Sequence, residues 1–237
     1  MLPLALFLAP AWALDGAGWL ARVDAAANRG KDAHIVLSVS VTDRTGTSSD
    51  RVLEIWQQGS DKRLVRFTAP SRLAGTGLLV PDGDTVYLYL PAYGRARRVV
   101  GESRGDAFMG TDFSLDDLSR LSWSDEYTAT VESESPSGAN LRLSPIDVSA
   151  HRDASLRLAV RSLDDMVERI EHLDAAGAAT RTLVLSDFKV VSGRPLAHTL
   201  VVDDPKNQKR TVATVMRTEL DTGLTDDRFT LTALTSP

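Results

Sequence analysis

The sequence predicts a mainly β, α+β domain, and three observations carry that expectation. Apolar and polar residues alternate with a period of two over several segments separated by turn-forming residues, beginning at His34 to Val41. Two later segments, Gly77 to Val80 and Thr85 to Leu90, are apolar on both faces, so a covering layer is needed on each side of the sheet. A short capped helical pattern, Ser114 to Leu121, offers one such layer: Ser114 stands at the N-cap, Asp117 at N3, and Leu115, Leu118 and Leu121 form a stripe.

Residues 1–13 form an apolar run that ends in Ala11-Trp12-Ala13, a small-x-small pattern, with the first charge at Asp15. The run is shorter than the ~20 residues that cross a bilayer and reads as a signal peptide without the usual basic start. Asp15 to Gly30 follows as an amphipathic helix, with Trp19, Leu20, Val23 and Ala27 on one side. Strands are expected next over Arg51 to Gln57 and Lys62 to Thr68, the latter with Arg63, Val65 and Phe67 on one face. Pro81-Asp82-Gly83-Asp84 then joins the two apolar strands as a turn. Further strands are expected near Tyr127 to Glu132, Asn140 to Leu143, Leu156 to Val160, Thr180 to Val191, Leu196 to Val202 and Thr211 to Glu219. Ser162 to Gly177 is ambiguous, because Leu163, Met166, Val167, Ile170 and Leu173 keep helical spacing while 167–173 also fits a strand closed by a turn. With no long linker and no internal repeat, residues 14–237 read as a single domain.

Composition excludes several classes of function. Lys and Arg number 27 against 32 Asp and Glu, a formal net charge of -5, which argues against nucleic acid as a partner. The chain has no Cys, so a disulfide scaffold, a thiolate metal site and a cysteine nucleophile are out. His34, His151, His172 and His198 occur in no metal-ligand spacing and read as structural, and no nucleophile elbow is present. Asp112, Asp116 and Asp117 suit the first turn of a helix better than a metal site or an acid pair. Gly75-Thr76-Gly77 lacks the third glycine of a phosphate loop and reads as a bulge or a close backbone approach entering a strand. No cofactor, no metal and no catalytic residue is expected. The densest basic cluster, Arg95, Arg97 and Arg98 with Arg104, suits either a headgroup or acidic partner or a charged sheet edge that resists aggregation.

Several stretches together resemble a known family. They are Arg66-Phe67-Thr68-Ala69-Pro70, Leu73-Ala74-Gly75-Thr76-Gly77, Val86 to Ala92, Arg97-Arg98 and Phe108 to Leu118. Gly193-Arg194-Pro195, Lys209-Arg210-Thr211 and Leu224 to Thr230 continue the likeness toward the carboxyl end. The pattern resembles the outer-membrane lipoprotein-sorting protein family, related to the periplasmic lipoprotein carrier LolA. That resemblance implies a strongly curved antiparallel sheet, an unclosed half-barrel with helices capping an apolar concave face, and it favours the strand over 167–173. It also implies a periplasmic, non-enzymatic carrier of lipid or lipoprotein acyl chains, with peripheral membrane contact at most. Many members of the broader branch look like partners of resistance-nodulation-division-type inner-membrane exporters. The apolar residues expected to line the cavity are Trp56, Phe67, Leu79, Tyr87, Tyr89, Phe108, Phe113, Leu115 and Leu118, with the facing of Tyr87 and Tyr89 against that of Val86 and Leu88 left open. The competing expectation is a binding or sensing module on an envelope exporter or regulator, its interior filled by its own side chains.

Overall fold

The structure is a computed structural model that describes residues 14–236; the leader expected over residues 1–13 lies outside them. In chain order the elements are α1 (Gly16–Ala27), β1 (Asp32–Thr42), β2 (Ser48–Gln58), β3 (Lys62–Ala69), β4 (Gly77–Val80), β5 (Val86–Leu90) and β6 (Arg95–Val99). There follow α2 (Leu115–Ser119), β7 (Tyr127–Ser135), β8 (Gly138–Pro145), β9 (Ser155–Arg161), β10 (Val167–Leu173), β11 (Ala179–Val191), β12 (Arg194–Asp204), β13 (Lys209–Leu220) and α3 (Leu231–Thr235). All strands join one 13-stranded sheet in the order β6-β5-β4-β3-β2-β1-β13-β12-β11-β10-β9-β8-β7. Two antiparallel meanders, β1 to β6 and β7 to β13, thus lie side by side along the β1–β13 pair, and the sheet stays unclosed with β6 and β7 as its edges.

Local chemistry explains the helices. Asp15 caps α1 by accepting from the Gly18 amide at 2.8 Å, and Asn28 ends it with its own side chain on the Asp24 carbonyl at 3.0 Å. At α2 the Ser114 and Asp117 side chains each accept from the other's amide, which completes the expected capping box. The helix stops at Ser119, short of the Leu121 that the stripe suggested. Arg120 turns to extended backbone there, while the Arg63 guanidinium takes the Leu118 and Arg120 carbonyls at 3.0 and 2.9 Å.

The ambiguous segment is the strand β10, paired on both sides by β9 and β11. Asp165, at a φ of 62°, turns the chain before it, and Leu163 is left 83% exposed, so the helical stripe is never buried as one face.

Alternation along the strands sorts the apolar residues onto two faces. The concave face carries Leu37, Val39, Leu53, Val65, Phe67, Leu78, Val86 and Leu88, continues through Leu141, Leu143, Leu156 and Leu158, and packs against Trp19, Leu20 and Val23 of α1. On the convex face, Trp56, Leu64 and Leu79 with Tyr87 and Tyr89 are covered by the carboxyl-terminal segment through Leu224, Phe229 and Leu234. Gly77 permits that cover. A Cβ there would lie 2.9 Å from the Val65 carbonyl oxygen and 3.0 Å from a Leu234 methyl, which bears out the expected close approach.

Candidate functional site

The candidate site is the concave interior, and what fills it decides what it can do. Beneath the crossover between the two meanders, Phe67 and Phe108 stack with centroids 5.0 Å apart, and Phe113, Leu115 and Leu118 complete a buried cluster. Those five expected lining residues therefore come together on the concave face. The other four, Trp56, Leu79, Tyr87 and Tyr89, lie on the convex face under Phe229 and Leu234. Strand register makes the division. Leu79 stands opposite Leu64 and Tyr87, while Leu78 stands opposite Val65 and Leu88.

Nearer the middle of the sheet the cover thins. Ile35, Leu185, Leu200 and Val215 of β1, β11, β12 and β13 are only partly buried against the core. A cavity of about 80 Å³ opens at the Ile35 end of this strip, between the end of α1 and the sheet, lined by Ala26, Ile35, Met166, Leu196 and Leu220 with Arg29, Lys31 and Arg194 among its polar walls. Helix α1 is tied at both flanks. Asp24 accepts from the Trp123 and Ser124 amides at 2.7 and 3.0 Å, Asn28 donates to the Leu121 carbonyl at 2.9 Å, and Arg22 pairs with Asp165 at 2.5 Å.

Buried ion pairs clamp the crossover onto the sheet. Asp117 receives Arg181 at 2.6 Å, and His172 reaches Asp153 at 2.7 Å and Asp117 at 3.5 Å. Burial pushes the Asp117 carboxyl up, yet Arg181 and His172 outweigh it and hold the group well below the usual carboxylate range. For His172, burial pushes the imidazolium down, and the bonds to Asp117 and Asp153 more than reverse it, so its pKa is raised. Asp112 pairs with Lys209 at 3.2 Å and accepts from the Thr211 hydroxyl at 2.7 Å. Arg63 reaches the α2 carbonyls with no carboxylate as partner, and burial beside Arg120 lowers its pKa to about 10, so it stays charged at neutral pH.

Asp116, Glu126 and His151 bring ligand atoms within 4.8 Å of one another, a spacing that could suit a cation. The site is already neutralised: Arg120 pairs with both carboxylates, Arg104 sits 3.1 Å from Asp116 and 2.6 Å from Glu126, and Tyr127 bonds His151 at 3.0 Å. The donor set therefore fits two guanidiniums better than a metal. Arg104 consequently belongs to this interior network and not with Arg95, Arg97 and Arg98, which line the exposed edge strand β6.

Sequence reasoning did not find Arg181, Arg63 or the partly buried strip of Ile35, Leu185, Leu200 and Val215. Alternation in β11 and β12 holds the signal for the strip, but only the pairing of β1 with β13 shows that the residues adjoin.

Among the described residues no helix is long and apolar enough to cross a membrane. No curated protein matches the sequence. Solved structures do. An outer membrane lipoprotein-sorting protein domain from Vibrio parahaemolyticus aligns with a TM-score of 0.82 at 22% identity, over 92% of this chain and 97% of that one. A DUF1329 family protein from Desulfovibrio piger gives a TM-score of 0.82 at 23% identity over the same shares of the two chains, 92% and 97%. The LolA superfamily protein NE2245 from Nitrosomonas europaea gives 0.76 at 16% identity, over 92% and 98%. A family model described as an uncharacterized protein matches residues 59–236. The chain belongs to that family, and its fold is the unclosed half-barrel of the LolA superfamily and the outer membrane lipoprotein-sorting domains.

Proposed function

We propose that the protein is a periplasmic carrier that binds acyl chains of a lipid or lipoprotein between α1 and the concave face, for transport toward the outer membrane, without covalent chemistry. The observation that carries this reading is the partly buried apolar strip of Ile35, Leu185, Leu200 and Val215, whose Ile35 end lines the cavity at the end of α1. The lipoprotein-sorting fold supports it, and Asp116, Asp117 and His172 in the interior are all engaged in ion pairs.

The cavity of about 80 Å³ is a small fraction of the room that an acyl chain of ordinary length needs. Acyl cargo therefore enters by displacing α1, whose contacts with the sheet it replaces. Each methylene withdrawn from water contributes about 0.8 kcal/mol, so a chain of ordinary length offsets a helix displacement of several kcal/mol. Phe67, Phe108, Phe113, Leu115 and Leu118 then form the closed end of the pocket, while Trp56, Leu79, Tyr87 and Tyr89 hold the carboxyl-terminal segment.

The small cavity also favours a second reading, in which the interior stays filled and the same fold serves as a binding or sensing module on an envelope exporter or regulator. Titration with a fluorescent fatty acid separates the two. The carrier predicts saturable uptake that Leu200→Asp abolishes and Tyr89→Asp preserves. A folded wild-type protein that takes up none supports the module.

A further inference from the structure

Strand β6 is a sheet edge, with Arg95, Arg97 and Arg98 all exposed. Arg95 and Arg97 stand opposite Leu90 and Leu88 on the concave side, and Arg98 stands opposite Tyr87 on the convex side. Among the described residues no carboxylate pairs with any of the three, although nearby Arg104 and Arg152 are paired with Glu126 and Asp106.

Beyond Val99 the chain turns through 101–105 and rests on the turn at 148–150, where the Ser149 carbonyl lies 3.5 Å from the Cβ position of Gly101. Arg152 ties the two turns by donating to the Gly105 and Glu102 carbonyls at 3.0 and 3.4 Å. Val100 and Val148, 62% and 71% exposed, therefore project from adjoining turns, with Ile146 at 60% beside them and Tyr93 at 73% at the other end of β6. Half of the large apolar side chains that stand exposed among the described residues thus lie on this one rim. Isolated exposed apolar residues are ordinary; a row of them bracketing three unpaired guanidiniums is not.

We propose that this strip, with Tyr93, Val100, Ile146 and Val148 as apolar tips and Arg95, Arg97 and Arg98 between them, docks the protein on an anionic phospholipid bilayer. The guanidiniums meet phosphates at the headgroup level while the tips enter the acyl boundary. Glu102 and Asp147 sit in the turns themselves, so the attraction comes from β6 and the turns contribute through burial. An edge of five residues with three charges resists strand addition, which disfavours an extended peptide as the occupant. The inference stands whether or not the interior accepts acyl chains. If it does, docking brings the concave side of β5 and β6 against the membrane that supplies or receives them.

Sedimentation with vesicles of phosphatidylcholine alone and of phosphatidylcholine mixed with phosphatidylglycerol tests it directly. Binding is expected only to the mixed vesicles and should weaken with added salt. The triple variant Arg95→Glu, Arg97→Glu, Arg98→Glu should weaken it on the order of a hundredfold. Val148→Asp, which leaves every arginine in place, should weaken it roughly tenfold. All four positions are exposed, so circular dichroism should show folded proteins. Equal binding by wild type and triple variant, or no vesicle binding by wild type, overturns the proposal. Perturbation of the β6 amides by an extended acidic peptide, without vesicle binding, assigns the strip to a protein partner and overturns it equally.

Discussion

The buried charges around α2 act as a set, and the loss of one member strands another. Asp117 is almost fully enclosed and depends on Arg181 and His172 for its charge. Arg181→Ala should therefore cost about 3–5 kcal/mol, the range for a buried ion left without its partner, measured by urea denaturation. The same cluster sets a pH dependence. The raised pKa of His172 means that its contribution is complete below about 6.5, where the unfolded histidine is also protonated, and is lost as the pH rises through the higher native value. Asp117 works in the opposite sense, its contribution present above about 3.9 and lost only as the pH falls through the depressed native value. Stability should decline in the wild type as the pH rises above about 6.5, and the decline should vanish in His172→Gln; an unchanged profile in that variant would remove His172 as its source. At this scale the sequence is partly legible. The Ser114 and Asp117 cap can be read from their spacing, because a capping box is local. The Asp117–Arg181 pair spans 64 residues and emerges only when β11 comes to lie under the crossover.

At the scale of elements, the carboxyl-terminal segment is a cover on the convex face. Leu234 is fully buried against the convex face, and Arg66 donates to the Ala233 and Leu234 carbonyls at the end of α3. Leu234→Ala should destabilise by about 2–5 kcal/mol. Gly77→Val should push Leu234 out of its seat, so hydrogen exchange at residues 229–235 should rise while β1 and β13 stay protected. Equal protection in both proteins would show that Leu234 can repack. Long strands with clear alternation, such as β1 and β3, are visible in the sequence because burial on one face imposes the period. Strand β6 shows only as one of two readings of the basic cluster, and helix α3 does not show. The first is short and mostly charged, as an edge strand should be, and the second is a single turn whose burial depends on the glycine-bared surface of β4. For β10 the local period pointed to two answers, and the pairing with β9 and β11 decided between them.

For the whole molecule, an open sheet with covered faces on both sides follows from apolar strands that cannot face water. The unclosed half-barrel follows from the family resemblance, since curvature leaves little trace in a single sequence. The two-sided apolar strands β4 and β5 led to one expected lining set, which the structure divides between the concave interior and the convex cover. The division depends on register, and adjacent aromatics such as Tyr87 and Tyr89 carry no mark of which layer they meet.

The central claim is that the concave face holds acyl chains by displacing α1. Organic extraction and mass spectrometry of lipids retained by the purified protein, beside a control protein from the same cells, tests it most directly. The account predicts a stoichiometric acyl lipid or lipopeptide, lost in Leu200→Asp and kept in Tyr89→Asp. A protein that emerges empty, and equally empty in both variants, would contradict it.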